Sequence, residues 1–131
     1  MVKDALVDLY VNKGREFLQL LDGAGIDVTG ALWLKDGESE SWTLLLAVPR
    51  LDSEKDPRNV YGDLLAVFRK HEEALSPLVA DDFMAKSPKE RPFRDLRLIL
   101  RTPPKALTNT RFTGNRVNDY LIEDALIYRM S

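Results

Sequence analysis

Cysteine is absent from the sequence, and histidine occurs once, as His71. The first absence excludes disulfides, thiol nucleophiles and thiolate zinc sites together, and it fits a reducing compartment. The second excludes metal sites built on paired histidines. A Ser-His-Asp arrangement would depend on His71, whose neighbours Lys70, Glu72 and Glu73 read as a solvated helix face. No Gly-x-Ser-x-Gly elbow supplies a nucleophile, and no Gly-Lys-Ser/Thr loop supplies a phosphate cradle. Gly23-Ala24-Gly25 is followed by Val28 rather than a third glycine, so it reads as a helix stop. Glu54-Lys55 lacks the spacer that would set both side chains on one face of a strand, as a nuclease Glu-x-Lys element requires. Long apolar runs are missing too. The longest is Leu44-Leu45-Leu46-Ala47-Val48, against the roughly 18 residues of a spanning helix. Asp4 and Asp8 interrupt the start where a secretory signal would be continuously apolar, and no Asn-x-Ser/Thr acceptor occurs. No cofactor and no membrane contact are expected.

What is present describes one folded domain. The 131 residues fall within single-domain size, and 44% hydrophobic with 31% charged residues suits a chain with a packed core. Helical spacing of Leu6, Leu9, Lys13, Phe17, Leu20 and Leu21 predicts a first helix over Lys3 to Asp22, with Val2 and Ala5 extending the stripe and Gly14 weakening it. A hairpin follows: Ala31–Lys35 and Ser41–Val48 around the polar turn 36–40. Both faces of the second strand carry leucines, so it should be central and covered on two sides. Asp56-Pro57 opens a second helix whose buried positions are Val60, Tyr61, Leu64, Leu65, Phe68 and Leu75. A short strand is expected at Phe83–Ala85, then a capping-box pattern at Ser87-Pro88-Lys89-Glu90. The stretch from Pro92 to Arg101 fits a helix better than a strand. Phe93, Leu96, Ile99 and Leu100 would form one stripe, and Arg91, Arg94, Arg97 and Arg101 the opposite one. Strands at Thr110–Thr113 and Ala125–Met130 complete the chain, with a loop over Asn118-Asp119; a terminal helix from Asn118 is the alternative. The order α-β-β-α-β-α-β-β implies an α+β fold, with a mixed or antiparallel sheet of four to five strands and about three helices.

The segments Ala31-Leu32-Trp33-Leu34, Ser87-Pro88 and Ile122-Glu123-Asp124-Ala125-Leu126-Ile127-Tyr128-Arg129 resemble a group of small uncharacterised bacterial proteins. The resemblance rests on general patterning. It implies a bacterial cytoplasmic protein and carries no activity and no functional residues.

Charge is distributed unevenly. Residues 1–90 hold 11 basic and 17 acidic side chains, and residues 91–131 hold eight basic against four acidic ones. Arg91, Arg94, Arg97, Arg101, Lys105, Arg111 and Arg116 are therefore the candidate ligand- or partner-binding residues, arginine being suited to bidentate contact with carboxylate or phosphate. A solvated or internally paired face is the plainer explanation of the same pattern. A net charge of −2 disfavours general nucleic-acid affinity. The acidic pairs Asp81-Asp82 and Glu123-Asp124, with Asp119, are the only hint of a hard-cation site, and adjacent carboxylates on a strand point apart. The leading expectation is a non-enzymatic protein-interaction or regulatory module, working with a protein partner or as a homodimer. Binding of nucleic acid or a phosphorylated ligand through Arg94, Arg97, Arg101 and Arg111 ranks second, and a metal-dependent hydrolase last.

Overall fold

The computed structural model describes residues 2–3, 6–38 and 40–131. The fold is α+β. Its strands are β1 (Val2–Lys3), β2 (Gly30–Lys35), β3 (Ser41–Ala47), β4 (Phe83–Lys86), β5 (Thr110–Val117) and β6 (Tyr120–Met130). Its helices are α1 (Asp8–Gly23), α2 (Arg50–Ser53), α3 (Pro57–Lys70), α4 (Glu72–Leu75) and α5 (Phe93–Leu96). One sheet runs β5-β6-β2-β3, with β4 and the short β1 side by side on the far flank of β3. All pairs are antiparallel except β3 with β4.

The predicted hairpin of β2 and β3 is the centre of the sheet, and β3 is covered on both faces. Trp42, Leu44 and Leu46 enter one core with Phe17, Phe68 and Phe83, under α1, α3 and α4. Leu45 and Ala47 enter a second core with Leu32, Phe93, Leu96 and Ile127, under α5. Each fully buried leucine or phenylalanine contributes about 1.5–3 kcal/mol.

Local sequence explains the helix ends. The Asp56 side chain accepts from the Arg58 amide, with Pro57 at the first helical position. At the end of α1, Gly25 takes φ +77°, and the Ile26 and Gly25 amides return to the Leu21 and Asp22 carbonyls at 3.0 and 3.1 Å. That pair of bonds is the Schellman arrangement, which glycine enters at no steric cost.

Several expectations shift. Lys3 is in β1 rather than in the first helix, and Ala5 lies outside the described residues. The buried face of α1 is Gly14, Phe17, Leu18 and Leu21, with Leu9 half exposed, so the stripe is rotated from the predicted one. The second helix breaks at His71, whose φ of −118° separates α3 from α4. The last two strands are longer than predicted and form one hairpin, joined at the expected Asn118-Asp119 connection, with no helix between them. Asn118 and Asp119 both take positive φ, 48° and 64°, the geometry of a two-residue hairpin turn.

The stretch from Pro92 to Arg101 coils, as preferred, but only Phe93–Leu96 is α-helical. Leu98 and Ile99 then donate to carbonyls three residues back, which tightens the chain. The tightening turns Leu98 and Ile99 outward, 70% and 55% exposed, so the predicted apolar stripe ends at Leu96 apart from the half-buried Leu100.

Candidate binding surfaces

With α5 one turn long, the arginines do not form a common face. Arg91 donates to the Asn118 carbonyl at 3.0 Å, lies 3.2 Å from the Asp95 carboxylate and covers the Tyr120 ring. It thereby ties the tip of the β5–β6 hairpin to α5. Arg94 is 3.7 Å from the same buried Asp95. Arg97 donates to the Pro88 carbonyl, and Arg101 to the Arg97 carbonyl at 3.2 Å. Arg111 grips Asp124 through two bonds of 2.6 and 2.5 Å and lies over Trp42. This bidentate contact is the first cause of the lowered Asp124 pKa and the raised Arg111 pKa. Lys105 and Arg116 are exposed and make no hydrogen bond or ion pair among the described residues. Internal pairing thus accounts for most of the basic C-terminal third.

A residue outside the candidate set makes the most buried ion pair. Arg129 is fully buried and meets Asp22 through two bonds of 2.9 and 2.8 Å, while also donating to the carbonyls of Val28 and Ala106. Its position follows from a bulge in β6. Leu32 pairs with Ile127 and Ala31 with Arg129, so Tyr128 is the extra residue. The Tyr128 hydroxyl accepts from Trp33 Nε1 at 2.8 Å and donates to the Val11 carbonyl at 2.5 Å. Burial drives its pKa far above the ordinary tyrosine value. Gly14 makes room for this phenol: a Cβ there would sit 2.6 Å from the Tyr128 hydroxyl and 2.8 Å from Trp33 Nε1. Both polar residues are satisfied, so this network is part of the core.

One member of each acidic pair is similarly engaged. Asp82 caps the Val79 amide at 2.8 Å and Asp124 holds Arg111. Among the described residues no group of three or more acidic or histidine side chains is placed to hold a metal ion, and no helix is long and apolar enough to cross a membrane.

Two surface features remain. The first is the sheet edges. On β4 a single hydroxyl closes the edge: Tyr61 Oη donates to the Ala85 carbonyl and accepts from the Ala85 amide, each at 3.0 Å, while Phe83 N–H bonds to the Ala80 carbonyl. These contacts occupy backbone groups that an incoming strand would need. On the other side of the sheet, among the described residues, β5 pairs only with β6. Its outer edge presents the backbone groups of Thr110 and Phe112; the Thr113 carbonyl accepts from Asn115 Nδ2 at 2.9 Å, and Gly114, at φ +62°, bends the strand beyond it.

The second is a groove of about 340 Å³ on the α5 face of the sheet. Because α5 is so short, it covers only one end of that face. The uncovered end has Leu34, Thr43 and Leu45 as floor, Met84 and Lys86 of β4 as one wall and Tyr120 and Leu121 of β6 as the other. None of these was singled out from the sequence. The alternation placing Thr43 on the same face as Leu45 was legible; that the cover over this face stops short of Thr43 was not.

The chain matches no protein-family model, no curated protein and no solved structure.

Proposed function

We propose that this chain is a non-enzymatic protein-interaction module of the bacterial cytoplasm that accepts an extended acidic segment of a partner along β5. The observation that carries this reading is the contrast between the two edges of the sheet. One is closed by Tyr61, and the other leaves the backbone groups of Thr110 and Phe112 turned away from β6. An added strand gains main-chain hydrogen bonds, and neighbouring side chains select its sequence. Exposed Arg116 and Lys105 flank this edge in sequence without a counter-charge among the described residues, which favours carboxylates on the incoming strand.

The nucleic-acid reading loses support because Arg91, Arg97, Arg101 and Arg111 are already bound within the chain.

Affinity capture from the source cell, run in parallel with the wild type and with an Arg116→Glu, Lys105→Glu variant, tests the reading. We expect a partner that the wild type retains and the variant loses, with light scattering showing both as monomers when free. Equal recovery by the two proteins, or a stable wild-type homodimer with no partner, would overturn it.

A further inference from the structure

The groove beneath the exposed end of the α5 face has the make-up of a small-molecule site, distinct from the β5 edge. Its volume of about 340 Å³ falls at the lower end of the range for ligand pockets. Leu34 and Leu45 give it an apolar floor, and the half-exposed side chains of Met84 and Leu121 (45% and 50%) stand at its walls with nothing packed over them.

Its polar lining carries two ammoniums, Lys35 and Lys86, one carboxylate, Asp36, and the hydroxyls of Thr43 and Tyr120. Lys86 Nζ spends one of its three protons on the Arg91 carbonyl at 3.2 Å, which holds the ammonium in place and leaves two donors. The hydroxyls of Thr43 and Tyr120 make no hydrogen bond to another described residue. The Arg91 guanidinium beside Tyr120 is already offset by Asp95, and the Asp36 carboxylate at the rim accepts the Glu38 amide. Two ammoniums against one carboxylate leave a net charge of +1, which with two hydroxyl donors over an apolar floor matches a head group with one negative charge and an apolar body. A phosphate monoester would bring close to two negative charges against this net +1, and an ammonium head group would meet a lining of its own net sign.

We propose that this groove binds a small monocarboxylate with an apolar body, the carboxylate on Lys86, Thr43 and Tyr120 and the chain along Leu34, Leu45, Met84 and Leu121. Contact with Met84 suits the role, since its flexible thioether adapts to ligands of different shape.

Octanoate, octylammonium and octanol serve as probes, since they share a chain and differ in head group. Titration by calorimetry and by amide chemical shifts should show octanoate binding at one site with a Kd on the order of 1 mM, ordinary for about ten heavy atoms. Octylammonium should bind at least tenfold more weakly. Lys86→Gln should weaken octanoate about tenfold or more, the effect of losing a charge-assisted hydrogen bond, while leaving octanol unchanged. Thr43→Val, which keeps the shape of the floor, should weaken octanoate by a smaller factor and provides the test if Lys86→Gln fails to fold. Equal binding of octanoate and octylammonium, indifference of octanoate to both substitutions, or no saturable binding up to about 10 mM would overturn the assignment.

Discussion

Replacing Gly14 by alanine should destabilise the protein, although alanine is the better helix former. In the middle of α1 the substitution gains about 1 kcal/mol of helix propensity. Against it stands the position of the new Cβ, 2.6 Å from the Tyr128 hydroxyl and 2.8 Å from Trp33 Nε1. Both belong to fully buried side chains, so neither can swing into solvent. Forcing such an overpacked contact costs about 1–3 kcal/mol. If the phenol shifts, the Trp33-to-Tyr128 bond of 2.8 Å and the Tyr128-to-Val11 bond of 2.5 Å are strained or lost. A buried donor left without its acceptor costs about 1–3 kcal/mol more. The net expectation is a loss of about 3 kcal/mol. Gly62 in α3 is the control, because a Cβ there meets nothing within 4 Å and Gly62→Ala should stabilise by about 0.5–1 kcal/mol. Urea unfolding followed by tryptophan fluorescence gives both values. Removing the hydroxyl with Tyr128→Phe should shrink the cost of Gly14→Ala, because the closest contact is then gone. Equal cost in both backgrounds, or a Gly14→Ala protein as stable as the wild type, would refute the role given to Gly14.

Three further outcomes follow from the same contacts. Asp22→Asn leaves the buried Arg129 guanidinium without its counter-charge and should cost about 3–5 kcal/mol in urea unfolding at neutral pH. Tyr128 is held neutral by burial, so its folded pKa lies above the unfolded value of about 10. Its contribution is complete below about pH 10 and falls as pH rises through the folded pKa; unfolding midpoints measured from pH 9 to 11 should drop, and less steeply in Tyr128→Phe. Tyr61→Phe strips the cover from the Ala85 amide and carbonyl, and should cost about 1 kcal/mol. It should also produce concentration-dependent association in sedimentation, through the newly opened β4 edge.

Local chemistry made part of this structure readable in advance. The Asp56-Pro57 cap, the Gly25 stop and the alternation in Ser41–Val48 act within a few residues, and each appears where the sequence put it. The long last hairpin was missed because Asn118-Asp119 looks like any polar loop; that both residues are left-handed depends on the strands they join. The arginine face failed for a related reason. Periodicity shows which residues can share a helix face, but α5 ends at Leu96, after which Leu98 and Ile99 bond three residues back and the arginines turn to separate partners. Arg129 could not be foreseen at all, since its partner Asp22 is 107 positions away and the bulge that turns it inward has no sequence mark. Gly14 was read as a weak point in a helix and proves to be the space required by Tyr128. The groove escaped notice because it results from where the cover over the second core stops, short of Thr43.

Hydrogen exchange of the β5 amides, with the captured partner bound and free, tests most directly whether β5 accepts a strand. Alternate amides of Thr110–Thr113 point away from β6 and should exchange quickly in the free protein. On binding, those amides should become strongly protected while the Ala85 amide, already held by Tyr61, stays unchanged. A bound partner that leaves Thr110–Thr113 exchanging at the free rate would contradict strand addition at this edge.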